Sequence, residues 1–198
     1  MYNKELNDNI YFSGTLDYTD HLIRLNEDGI KTNKYINSGI MLMNLKAMRA
    51  NKIEKKLIEF TLTLKGFFID QNAINSVCCN NIKVLSYKYG IFSFNSFDEL
   101  VELNNQQNDI YKFNESVLNL SYNEPTFLHY AGLNKPWNKQ CSYFNRAYWW
   151  YYAKISGFYH EILNYYNFDI NEVETLLEEI HSDGGLLKKI YRKMPSYY

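Results

Sequence analysis

Residues 35–45 form a strand-length run dominated by apolar residues from Ile40 onward, and a stripe of helical period follows at once: Met48, Ile53, Leu57, Phe60 and Leu64, with lysines between them. A buried strand feeding directly into an amphipathic helix is the repeating unit of layered α/β domains. The rest of the chain continues that alternation. Residues 10–14, 82–85, 89–94 and 126–129 read as short strands, and Ala73, Ile74, Val77 and Cys78 recur on one helical face. That face puts Asp70 or Gln71 at or near a helix N-terminus, where the helix dipole favours a carboxylate. The pattern predicts one helix over 46–65, a polar loop with a helical turn over 15–34, and loop with irregular helix over the Asn- and Gln-rich stretch 97–124. We therefore expect an α/β domain over 1–140, with ligands at strand ends, and a helical, aromatic and basic tail over 141–198.

Composition removes several alternatives. A chain of 198 residues with 46% hydrophobic and 22% charged residues has the make-up of a folded domain. Its formal net charge of −1 offers no footprint for nucleic acid. No apolar run approaches the roughly 20 residues that span a bilayer. Cys78, Cys79 and Cys141 have neither disulfide-framework nor zinc spacing; the adjacent pair is expected to pack as small apolar residues in a helix. The odd cysteine count and the lack of a signal-like segment suggest a reducing cytoplasm. The end of the tail, from Lys188 to Lys193, is basic and aromatic. It reads as a solvated amphipathic helix in preference to a contact with the membrane surface.

Chemistry concentrates in His129-Tyr130-Ala131-Gly132-Leu133-Asn134-Lys135-Pro136-Trp137. An imidazole can ligate a divalent metal, and a lysine suits phosphate. Gly132 permits close backbone approach, and Pro136 stiffens the exit. These are the parts of a clamp for a metal-bound diphosphate.

This stretch resembles the H-x-x-G-x-x-K-P-W motif of the family 8 glycosyltransferases, a retaining group that includes glycogenin and the lipopolysaccharide galactosyl- and glucosyltransferases. Two further segments fit the same family in the same order: Tyr35-Ile36-Asn37-Ser38-Gly39-Ile40 with the apolar residues that follow, and Phe68-Ile69-Asp70-Gln71-Asn72-Ala73. The resemblance implies a GT-A-type nucleotide-diphospho-sugar transferase fold with a mixed central sheet. It implies transfer of a hexose, with retention, from a nucleotide-diphosphate donor such as a UDP sugar to a glycan or lipid-linked acceptor at the inner face of the membrane. His129 would be the metal ligand. Gly132 and Lys135 would meet the diphosphate, and Asn37 and Ser38 would line the sugar side with groups that both donate and accept. Asp70 would accept hydrogen bonds from the donor sugar, with Gln71 close to the anomeric carbon; both positions equally suit a helix cap.

One family element has no counterpart in these residues. The family holds its Mn²⁺ (or Mg²⁺) with a D-x-D motif, and no Asp-x-Asp occurs here; Asp17 and Asp20 are too far apart to imitate it. The opening residues through Asp17 resemble family sequence just downstream of that motif, so the chain is expected to be the C-terminal portion of such an enzyme. One imidazole does not hold a hard cation against water. Metal binding and catalysis are thus expected only with an N-terminal half supplied, that half being lost by truncation, separately encoded in a split gene, or left out by a misplaced start. A fragment that is inactive alone and a carbohydrate-binding module using its tyrosines are the alternatives to an enzyme.

Overall fold

The computed structural model describes residues 7–17, 32, 34–66, 68–92, 96–107, 112–143 and 145–182. Two ladders carry the strands. In the larger, β1 (Phe12–Leu16) lies between β2 (Ile36–Met43), which is antiparallel to it, and β3 (Ile82–Val84), which is parallel. The mixed sheet is thereby present. The smaller ladder pairs β4 (Ile91–Phe92) with β5 (Leu128–His129) in parallel, Phe92 opposite His129.

As the central strand, β1 is buried along its whole length, including Ser13 and Thr15. It begins two residues later than the predicted 10–14, and Thr15, expected in a loop, is its penultimate residue. Thr15 donates its hydroxyl to the Gly90 carbonyl at 3.0 Å, tying this strand to the turn before β4. The strand predicted over 35–45 is β2, but only Ile36 of it is buried and the remaining positions are half-buried or exposed. Its apolar residues fooled the buried-strand reading because edge exposure depends on neighbours, not on composition.

The single helix predicted over 46–65 is two: α1 (Leu45–Ala50) and α2 (Ile53–Thr61). Asn44 caps the first by accepting from the Ala47 amide at 3.1 Å. Asn51 closes it, its side chain donating to the Ala47 carbonyl at 2.9 Å, and Lys52 takes a left-handed φ of 53°. This break turns Ile53 inward, where it is buried with Phe12, Ile36, Ile74, Cys78 and Ile82. Helix α3 (Ile69–Val77) follows, with Asp70 in its first turn as expected.

The stretch read as loop and irregular helix also contains two regular helices, α4 (Phe97–Asn105) and α5 (Glu115–Asn123). Their asparagines and serines act as punctuation rather than as disorder. Ser96 accepts from the Glu99 amide at 3.2 Å and Asn114 from the Val117 amide at 3.0 Å, both N-caps. Asn104 clasps the Phe113 backbone with two 3.0 Å bonds, which joins the two helices. Leu100 and Leu118 then pack with Leu16, Tyr87, Ile91 and Phe92 in a second core.

Helices α6 (Arg146–Ile155), α7 (Tyr159–Tyr166) and α8 (Ile170–Ser182) build a third core around Trp150, Tyr151, Leu163, Val173 and Leu177. Trp137 from the clamp segment packs into it and stacks on Tyr166 at 5.4 Å. The helical aromatic tail was expected; that it grips the clamp was not. The Asp183-Gly184-Gly185 break, the basic end and most of 15–34 lie outside the described residues. No helix among the described residues is long and apolar enough to cross a membrane.

Candidate functional site

The site forms where β2, the end of β1, the first turns of α3 and the end of β5 meet. Helix α3 presents two faces. One carries the expected apolar contacts, with Ala73 and Ile74 buried and Cys78 buried just past the helix end. The other is polar and was not foreseen: Gln71 and Asn75, one helical turn apart, are both buried and both bind β2. Asn75 accepts from the Ile36 amide at 2.7 Å and donates to the Ile36 carbonyl at 2.8 Å, so its side chain substitutes for a neighbouring strand. The Tyr35 hydroxyl donates to Asn72 alongside.

That dock fixes the candidate sugar-side residues. Gln71 accepts through Oε1 from the Ser38 amide at 2.9 Å and from the Ser38 hydroxyl at 3.3 Å. Its Nε2 donates to Asp17 Oδ2 at 2.6 Å. Asn37 donates to the same oxygen at 3.1 Å, and its own Oδ1 accepts from the Gly39 amide at 2.8 Å. Asp17, only 2% exposed, is therefore the hub that Asn37 and Gln71 share. Sequence reasoning weighed Asp17 solely as half of a D-x-D pair and set it aside. The available signal was its place at the end of a strand, where α/β sheets gather ligands.

His129 sits at the end of β5, half-buried, its ring 5.5 Å from that of Phe92 and lying against the backbone of Gly39. Burial holds its imidazole below the ordinary pKa of 6.5; the Lys135 ammonium pushes the same way and the Asp17 carboxylate opposes them. A neutral ring keeps a lone pair for a ligand or a proton. Lys135 is half-buried, and its ammonium donates to the Tyr130 carbonyl at 2.6 Å, folded back on its own loop. Gly132 is exposed at φ +76°, with open space where a β-carbon would be. Its glycine is demanded by left-handed backbone, and the loop stays open around it. Asp70 is exposed in the first turn of α3, one residue from Gln71.

Of the residues singled out from sequence, the structure gathers Asn37, Ser38, Gln71 and His129 into one neighbourhood with Asp17, and brings the charge of Lys135 to bear on the imidazole. Asp70, exposed in the first turn of α3, and Gly132, exposed on the loop, stand at its margins. The donor set does not complete a site for a divalent cation. His129 offers one nitrogen, Asp17 Oδ2 is already taken by two amide donors, and no group of three His, Cys, Asp or Glu side chains converges among the described residues.

Comparisons with known proteins bear on the fold and the family. The chain is similar to the lipopolysaccharide 1,3-galactosyltransferase of Salmonella typhimurium (28% identical over 114 residues, 55% of this chain and 29% of the relative). It is also similar to the lipopolysaccharide 1,2-glucosyltransferase of Escherichia coli (26% over 120 residues, 58% of this chain and 32% of the relative). The chain thus spans about a third or less of these curated relatives. Among solved structures it shares the fold of the bifunctional glycosyltransferase WbbM (TM-score 0.61, 17% identity, 79% of this chain and 30% of that one). It likewise shares that of an active-site mutant of LgtC (TM-score 0.56, 16% identity, 75% and 54%). The fold is accordingly that of the GT-A glycosyltransferases. Residues 13–141 match the sequence profile of glycosyl transferase family 8, and the chain belongs to that family.

Proposed function

We propose that this chain carries the sugar-side half of a retaining hexosyltransferase that moves a hexose from a nucleotide-diphosphate donor to a glycan or lipopolysaccharide acceptor. The observation that carries the reading is the Asp17–Asn37–Gln71–Ser38 network set beside a neutral His129. Paired amides and hydroxyls held rigid by a buried carboxylate suit the alternating donors and acceptors of a sugar ring. Asn37, Ser38 and Asp70 are the groups that meet donor hydroxyls in this reading. Gly132 leaves the loop backbone open to the diphosphate, and Lys135 exchanges its bond to the Tyr130 carbonyl for one to phosphate oxygen as negative charge grows there.

Retention follows from departure and attack on one face. The bond from the anomeric carbon to phosphate oxygen breaks, and its electron pair stays with the diphosphate. The acceptor oxygen bonds to that carbon from the same side, and its proton passes to the departing phosphate. Gln71 fits the part of a fixed dipole beside the positive anomeric carbon. An amide with Oε1 engaged twice by Ser38 is no nucleophile, and carboxylates serve that role in retaining glycosidases. Mass spectrometry of a full-length relative under turnover is expected to show no glycosyl adduct on the residue equivalent to Asp70 or Gln71.

The incomplete donor set favours a second, compatible reading in which this chain is inactive alone and works with a separately encoded polypeptide bearing the D-x-D carboxylates. Mn²⁺ or Mg²⁺ would enter with that partner, with His129 as this chain's ligand. A cytoplasmic setting at the inner membrane face suits such a donor and acceptor. Titration calorimetry tests the pair of readings. The chain by itself should bind UDP with Mn²⁺ weakly or not at all, and adding a D-x-D-bearing half should bring metal-dependent binding that His129→Ala abolishes. Micromolar, metal-dependent UDP binding by the lone chain would overturn the two-part reading. Glycan binding with neither nucleotide nor metal would favour a carbohydrate-binding module.

A further inference from the structure

Gly39 sits in the middle of β2, where glycine is a poor choice: it has no side chain to pack and loses more backbone freedom than any other residue. Backbone conformation does not demand it. The described glycines with left-handed φ are Gly132 and Gly157, and Gly39 is not among them. Space does demand it. A β-carbon at Gly39 would stand 2.5 Å from His129 Nε2, closer still to Cε1 of the same ring, and 3.0 Å from Asn37 Oδ1.

Neither obstacle is the loose end of a flexible chain. The His129 ring packs by Phe92, its partner across the β4–β5 ladder, at 5.5 Å. The Asn37 amide is pinned between Asp17 and the Gly39 amide at 3.1 and 2.8 Å. We propose that Gly39 is the positioning residue of the site: its missing side chain leaves a slot on β2 that seats the His129 imidazole beside Asn37 and so sets the end of β5 against β2. Among the described residues the two ladders share no strand pairing, so here the His129 side chain of β5 meets bare backbone of β2 at the point where the candidate residues gather.

The inference rests on His129 serving the site, as proposed above, but its test uses neither nucleotide nor metal, so the two fail separately. Proton NMR of the whole chain, with the His129 ring assigned through H129A, reads the imidazole directly. In G39A the ring should leave its slot. Its Cε1 proton should lose the ring-current shift from Phe92. An unchanged shift in G39A would overturn the proposal. If G39A does not fold, the double variant G39A/H129A decides. With the ring gone only the 3.0 Å approach to Asn37 Oδ1 remains, so the double variant should recover most of the loss and melt nearer H129A than G39A does. A double variant as damaged as G39A would show that the ring is not what the glycine accommodates. A methyl that simply disturbed β2 would act equally in both backgrounds and leave the ring-current shift where it was.

Discussion

His129 shows how position rewrites a residue's chemistry. Burial and the nearby Lys135 charge lower its pKa, against the pull of Asp17. The folded state then binds fewer protons than the unfolded chain below the ordinary value of 6.5. Stability from the neutral ring is therefore complete above that pH and is lost as pH falls through the folded pKa. Urea unfolding should show wild type losing stability on acidification below pH 6.5, and His129→Gln should flatten that part of the profile. A slope identical in the two proteins would place the titration elsewhere. Cys78 supplies a second case. It is fully buried, and burial pushes its thiol up to about 11, with Cys79 beside it adding to the rise. The thiolate is the reactive form, so iodoacetamide at pH 8 should label half-buried Cys79 well ahead of Cys78 in the folded chain, as peptide mass spectrometry would record.

At the scale of elements, polar side chains hold together what apolar stripes do not. The α3–β2 dock turns on Asn75, which is 0% exposed and meets both backbone groups of Ile36 and the Gln71 carbonyl. Asn75→Leu would strand a buried amide and carbonyl of β2, at about 3 kcal/mol by the usual cost of unpaired buried groups. Denaturant titration should find that loss, and hydrogen exchange should show the Ile36 amide opening first. A change within about 0.5 kcal/mol, the range of ordinary surface substitutions, would mean that apolar packing alone seats α3. The same principle explains the misread stretch 97–124. Its Asn-rich composition looks irregular, yet Asn114 and Asn104 each close a specific backbone gap, and the two helices they serve each bury a single large apolar side chain, Leu100 in α4 and Leu118 in α5.

Across the whole molecule, the helical tail and the clamp are one mechanical unit. Trp150 is completely buried and donates its indole N–H to the Pro136 carbonyl at 3.0 Å, while the Tyr130 hydroxyl donates to the Asn145 carbonyl at 2.7 Å. Lys154 pairs with Glu174 at 2.6 Å across α6 and α8, a half-exposed pair that contributes little by itself. Trp150→Ala should cost about 3–5 kcal/mol, as large-to-small changes of buried aromatics do. It should also speed hydrogen exchange in residues 130–137, since their anchor is lost. Protection there equal to wild type would show the loop to be held by β5 alone.

Local order was legible in the chain. The strand-to-helix alternation, the polar turn after β5, the acidic first turn of α3 and the three family segments all depend on neighbours within a few residues, and so they are written in spacing and residue type. What the sequence left open depends on contacts between distant segments. Whether an apolar strand lies at an edge, which asparagine caps a helix and which staples two, that Asp17 joins Asn37 to Gln71, and that Gly39 gives way to His129 some ninety positions on: these were decided only when the folded backbone brought the partners within reach, because a hydrogen bond or a steric contact acts over a few ångströms of space and is blind to separation along the chain.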